Sequence, residues 1–303
     1  MEPERPLRLF NYELVGPKLR GLFFNINADI DRRGSDADIR GDSDAGTCLS
    51  LLGLMFRFAW NSYEAVLYLT GDTPEDPRRK PNYVIVIPNI NRQLLDLLFT
   101  LTYMLEDLRA RSLDYQRAGY RDLYEEIASF RDVFGNDPEW KRYFDNTEAM
   151  LRQMVPIFNI TPEERANPSL IDYWPTPFKL VKRAKKGSIP CASFLEYLEK
   201  WLYKETSAQA HLTFAGLFRV APFVVAPMLG KEYVDKVQDV PMKMFHFQQV
   251  SRTTLSFLAI ATEIDTSCRL GNRESINYLW VILGEYVAEA KEMWEQRYRD
   301  RPN

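Results

Sequence analysis

The 303-residue chain is 46% hydrophobic, enough for a sizeable core, and this excludes disorder of the whole. Its 39 basic and 42 acidic residues nearly balance at a net charge of −3, so no overall field favours nucleic acid or an anionic membrane. No window offers the roughly 18 uncharged apolar residues of a membrane span.

In chain order, MEPERPLRLF lacks the apolar core of a signal peptide, and the expected location is cytoplasmic, with no membrane partner. Residues 7–28 carry Leu19, Leu22, Phe23 and Ile26 at helical spacing. Asp29 to Gly46 then has six Asp, three Arg and three Gly with only two Ile, a composition that predicts a mobile acidic loop over 29–46. Asp36, Asp38, Gly41, Asp42 and Asp44 fall near the ligand positions of a calcium loop. Arg40 and Thr47 stand where an oxygen ligand and a bidentate Glu belong, so no metal is predicted.

Thr47 to Thr70 reads as a buried helix, ended by the Pro-rich stretch from Gly71 to Pro81. The VIVI run at 84–87 has no partner strand and reads as a lead-in before Pro88. Asn89 to Arg111 has leucines over most of its circumference, which predicts burial on most sides, yet Arg92, Asp96 and Tyr103 lie along one face. Leu113 to Phe134 and Trp140 to Phe158 are two further amphipathic helices. Residues 156–190 hold six prolines and predict a connecting segment without long helices. Within it Lys179, Lys182, Arg183, Lys185 and Lys186 are candidate phosphate or RNA contacts; a solvated basic helix face is the plain alternative.

The stretch Leu198 to Phe218 reads as one apolar helix carrying Tyr203, Ser207 and His211 at i, i+4 and i+8. Lys231 to Asp239 is read as a polar connector, Val240 to Asp265 as a long helix, Cys268 to Asn272 as a turn and Glu274 to Tyr298 as a closing amphipathic helix. The sum is an all-α chain, an irregular bundle of about eight to ten helices in a single domain over 1–303. Cys48, Cys191 and Cys268 lie far apart and predict free, mostly buried thiols in a reducing compartment.

Phosphate-cradling, hydrolase-elbow and zinc motifs are absent from the sequence, and neither His211 nor His246 has the Glu three residues earlier that a di-metal bundle needs. No cofactor is expected. The chemistry that remains is Arg92 and Asp96 on one helix with Ser207 and His211 on another. There His211 would shuttle a proton, Asp96 orient it and Arg92 stabilise an anion. The structural alternative is a polar network fixing the register of two core helices, with Ser207 bonding back to a carbonyl.

The Arg92/Asp96 helix, the Trp174-Pro175 pair and the Tyr203/Ser207/His211 helix together resemble a broad bacterial family of uncharacterised all-α proteins often met beside mobile elements. That family is usually written with Glu at the place of Asp96. An Arg/acid helix with a His helix is more distantly similar to the HEPN superfamily, many members of which are metal-independent ribonucleases of toxin and defence systems. Their hallmark is Arg-x(4 to 6)-His, and this chain departs from it in having Lys204 at the Arg place before His211, which supplies charge without the bidentate guanidinium fork. The resemblance implies an interaction module of a bacterial mobile-element or defence locus, or a ribonuclease using His211. A third reading is a ligand-binding bundle interior lined by Trp60, Tyr63, Trp201 and Phe214. The partner classes these readings carry are a protein, RNA and a second copy in a homodimer.

Overall fold

The computed structural model describes Phe10 and residues 13–71, 86–210, 214–238 and 240–299. It is 88% helical with no strand among the described residues, the all-α arrangement predicted. Where one domain over 1–303 is expected, the chain forms two compact units: Met1–Glu106 with Pro177–Asn303, and Asp107–Thr176.

The first unit opens with α1 (Val15–Ile39) and α2 (Ser43–Thr70). Arg57 reaches Asn27 and Asp31 while Arg20 reaches Glu64, so residue numbers rise along one helix as they fall along the other, and the two are antiparallel. This corrects the mobile acidic loop at 29–46, most of which is helix, with only Arg40 to Asp42 as a turn. Two features missed by composition explain it. Ile30 and Ala37 continue the buried stripe of Leu19, Leu22, Phe23 and Ile26. The charges pair around the helix, Arg32 with Asp29 and Arg57 with Asp31, and Arg33 donates to the carbonyls of Cys268 and Arg269 at 2.5 and 2.9 Å. Asp42 then caps α2 by accepting from the Ala45 amide at 3.2 Å.

Val84 and Ile85 of the VIVI run lie outside the described residues. Ile87 begins α3 (Ile87–Met104), with Pro88 in its first turn. The helix expected from Asn89 to Arg111 is interrupted at Leu105–Asp107, because Asp107 turns to cap the next helix at the Ala110 amide.

That next helix, α4 (Leu108–Phe134), pairs with α5 (Pro138–Ile157) to make the second unit. Tyr120, Ile127, Phe144, Leu151, Ile160 and Ile171 form its core, and Phe134 stacks on Trp140 at 4.4 Å. A capping box at Thr161 and Glu164 starts the short α6 (Pro162–Ala166). Arg121 lies 3.6 Å over the Tyr173 ring and donates to the Ile171 carbonyl at 2.6 Å, which pins the aromatic Pro-rich segment.

Back in the first unit, α7 (Pro177–Lys186) packs on α3, and no helix between 156 and 190 exceeds its ten residues, as predicted. From Ala192 the chain runs through α8 (Ala192–Leu198), a π-helical turn (Glu199–Tyr203), α9 (Lys204–Ala210) and α10 (Phe214–Leu229). The single helix expected over Leu198 to Phe218 is therefore corrected. In a straight helix residues 208 and 216 would stand about 12 Å apart. Here a methyl placed on Gly216 would lie 3.1 Å from the Gln209 Cα and closer still to the Ala208 carbonyl, so α10 folds back against α9. The connector predicted at Lys231 to Asp239 is instead α11 (Lys231–Gln238), begun after Gly230 at φ 104° and supported by a Glu232 to Lys236 pair at 2.7 Å.

The first unit is built around α12 (Val240–Cys268), which packs against α1, α2, α3, α11 and α13 (Arg273–Tyr286). From Gln249 to Asp265 every residue is buried. Phe257 sits among Phe56, Trp60 and Tyr63, with ring separations of 5.6, 5.4 and 5.2 Å. The closing helix is kinked: buried, extended Val287 separates α13 from α14 (Ala288–Met293), which runs into a second π-helical turn (Trp294–Tyr298). Cys48 and Cys191 are buried free thiols and Cys268 is half-buried. Burial raises the Cys268 thiol to about 11, although Arg33 opposes the shift.

Candidate functional site

Arg92 and Asp96 share one face of α3, and Tyr203 meets them from the π-helical turn. Arg92 Nε donates to both Asp96 oxygens at 3.1 and 3.2 Å. Its guanidinium carbon lies 3.7 Å from the Tyr203 ring centroid, and Nη2 donates to the Tyr203 hydroxyl. Phe99 closes the other side of that ring edge-on at 5.3 Å. The pair is less enclosed than the leucine-rich helix predicts: Arg92 is 15% exposed and Asp96 42%. Arg92 Nη1 is nevertheless buried without a hydrogen-bond partner.

Of the predicted constellation, the structure brings together Arg92 and Asp96. Ser207 is half-buried on α9 and takes no part in their hydrogen bonds among the described residues, nor does it make the predicted bond back to a carbonyl. His211 lies outside the described residues.

The polar centre of the unit stands one residue away in phase. Leu202, Thr206 and Gln209 are the buried positions of this stretch, whereas Tyr203 and Ser207 are half-buried. Gln209 faces α12, accepting from Gln249 Nε2 and Arg252 Nη1, each at 3.5 Å. Asn91, the neighbour of Arg92, donates to the Gln249 side chain at 3.0 Å and to its carbonyl at 3.2 Å, and accepts from Thr253 at 2.5 Å. Arg252 completes the set with Glu205 at 2.6 Å. Three helices are thus tied by side-chain amides whose geometry admits one register.

A second buried cluster holds the other π-helical turn. Arg297 Nε donates to Glu263 Oε1 at 2.9 Å, and Nη2 donates to Glu263 Oε2 and Glu106 Oε1, each at 3.1 Å. Burial works against the Arg297 charge, but the Glu263 carboxylate and then Glu106 outweigh it and hold the guanidinium above its ordinary value. The signal for both networks is in α12 itself. Ser251, Thr253 and Thr262 donate to the carbonyl four residues back at 2.7, 2.8 and 2.7 Å, which lets hydroxyls sit inside a buried helix.

The basic residues of α7 lie at the surface, and two already have partners. Lys185 bonds Glu196 at 2.7 Å, and Lys182 lies 4.3 Å over the Phe178 ring. Lys200 reaches the same Glu196 at 2.6 Å, and hydrogen bonds from Lys185 and Lys200 lower the Glu196 carboxyl to about 2. Lys179, Arg183 and Lys186 are exposed.

The four aromatics expected to line a ligand-binding interior do not converge. Trp60 and Tyr63 pack on Phe257, Trp201 lies against Tyr197, and Phe214 faces solvent. A cavity beside Asp265, Arg273, Trp294 and Tyr298 measures about 20 Å³, room for one water. Among the described residues no group of three or more His, Cys, Asp or Glu could hold a metal ion, and no helix is long and apolar enough to cross a membrane.

One surface does carry unpartnered apolar groups. The buried face of α10 is Gly216, Val220 and Phe223, the last packed on Phe245 at 5.2 Å. On the outward face Phe214 is 85%, Phe218 73% and Met228 82% exposed, with Leu217, Val224 and Val225 between them. No family model, curated protein or solved structure matches the chain.

Proposed function

We propose that the protein is a non-enzymatic helical interaction module that works through a partner surface. The observation that carries this reading is the apolar stripe of α10, exposed on a helix anchored by its other face. The polar groups support it as well: Asn91, Gln209, Gln249, Arg252 and Glu205 are engaged with one another, and Arg92 is engaged with Asp96 and Tyr203. A mobile-element or defence setting rests on the motif resemblance of Arg92, Asp96 and the Tyr203/Ser207/His211 stretch.

The second reading is a metal-independent ribonuclease using His211. It draws on the partnerless buried Nη1 of Arg92 and on the basic helix α7 packed against the helix that carries Arg92. Incubating purified protein with total RNA in EDTA separates the two. The module reading expects no cleavage by wild type or His211→Ala. Cleavage by wild type that disappears in a folded His211→Ala variant would overturn it.

A further inference from the structure

The outward stripe of α10 has an internal symmetry. Phe214 and Met228 stand seven residues to either side of Ala221, Leu217 and Val225 four, and Phe218 and Val224 three. All six are exposed apolar side chains, and the spacing of three, four and seven keeps them on one stripe. A two-fold axis through position 221 in an antiparallel helix pair makes residue 221+k of one copy face residue 221−k of the other. Under that operation Phe218 meets Val224, Leu217 meets Val225 and Phe214 meets Met228. Near the axis each large side chain faces a smaller one, and half-buried Ala221 on the axis lets the backbones approach. At the ends a thioether meets an aromatic ring, a favourable contact.

We propose that this stripe is the pairing face for a second copy of the chain, docked antiparallel about Ala221. The inference deepens the interaction-module reading and rests on it. The exposed area of the six side chains is about 600 Å² per copy, taking about 150–200 Å² for each fully exposed residue. Pairing therefore withdraws on the order of 1,200 Å² from water, the lower edge of specific stable interfaces. Self-complementary surface is what an isologous contact requires. Phe214 and Phe218 stand next to each other on the stripe, their ring centroids 6.4 Å apart.

The test is sedimentation velocity of the full chain over a concentration series, with Phe218→Glu and Val224→Lys. Both positions are exposed, so circular dichroism should show unchanged helix content. Wild type should dimerise, and each single variant should raise the dissociation midpoint at least about tenfold. An equimolar mixture of the two variants should restore dimers. There the carboxylate introduced at position 218 of one copy faces the ammonium introduced at position 224 of the other, while the opposite contact stays Phe218 to Val224. A wild type monomeric at about 100 μM overturns the pairing. So does a monomer that binds neutral phospholipid vesicles through the stripe, or a dimer indifferent to both substitutions. Variants that fail to pair when mixed overturn the antiparallel register. None of these outcomes bears on RNA cleavage, so failure of the pairing and failure of the module reading are told apart.

Discussion

Replacing Arg297 by Met should be among the most damaging single changes in the first unit. Glu263 is fully buried, and the side chains of Arg297 and Glu106 are only 8% and 13% exposed. Three charge-assisted hydrogen bonds converge on one guanidinium, at 2.9, 3.1 and 3.1 Å. Methionine fills much of the volume and keeps contact with Phe194, whose ring centroid is 5.7 Å from the guanidinium carbon. The loss is therefore electrostatic: in a largely desolvated site two carboxylates lose the guanidinium that bonds them both. Breaking a buried pair in this way costs about 3–5 kcal/mol, against less than about 1 kcal/mol for an exposed pair. For a unit of this size the midpoint of thermal unfolding should fall on the order of 10 °C. Urea unfolding followed by tryptophan fluorescence measures the cost directly, because Trp280 and Trp294 flank Tyr298, next to Arg297 in sequence. Adding Glu263→Gln to Arg297→Met removes one of the two carboxylate charges and should recover about 1–2 kcal/mol of the loss. A loss below about 1 kcal/mol, or strict additivity of the two substitutions, would refute the assignment of a buried two-carboxylate clamp.

Two further outcomes test other parts of the structure. Gly216→Ala places a methyl against the Ala208 carbonyl where α10 folds back on α9, so it should destabilise by about 1–3 kcal/mol in thermal melts, although alanine is the better helix former. An unchanged or raised melting temperature would mean that the close approach is absent. Glu196 should titrate at about 2 by carboxyl NMR, well below its usual 4.5. A carboxyl lowered on folding stabilises the protein above its unfolded value and loses that contribution as pH falls from 4.5 towards 2. Lys185→Met should move the Glu196 midpoint back upwards. A midpoint that does not respond would remove Lys185 from the pair and return it to the set of free surface cations.

What can be read from the sequence follows from which signals are local. The stripe of Leu19, Leu22, Phe23 and Ile26, the buried helix ending at Thr70 and the short helices among the prolines are all dictated by spacing within one segment, and all are present. Composition misreads Asp29 to Gly46 because it ignores order. Its apolar residues are few, but Ile30 and Ala37 fall in phase with the preceding stripe, and its charges find partners on α2 and at the end of α12. Those partners lie far off in the chain, so no local window contains them. The break at Leu105 to Asp107 and the fold-back at Gly216 are short-range by contrast, decided by a cap and by a close approach that hydrophobic spacing does not encode.

Tyr203 and Ser207 draw notice by their chemistry and not by their phase. From buried Cys191 a uniform period of 3.6 runs through Leu195, Leu198, Leu202, Thr206 and Gln209, so these positions enter the core in phase even though the π-helical turn Glu199–Tyr203 lies within the run. Tyr203 and Ser207 stand one residue off that stripe, at its margin. The same kind of turn brings Arg297 to Glu263. In both places a buried hydrogen-bonding side chain within or after a π-helical turn meets α12. Gln209 meets Gln249 and Arg252 in the first half of that helix, and Arg297 meets Glu263 in the second. An apolar contact would tolerate a slip of one residue along α12, whereas an amide or a guanidinium would lose its partners. The polar residues that meet α12 in this unit therefore act as register pins on the central helix.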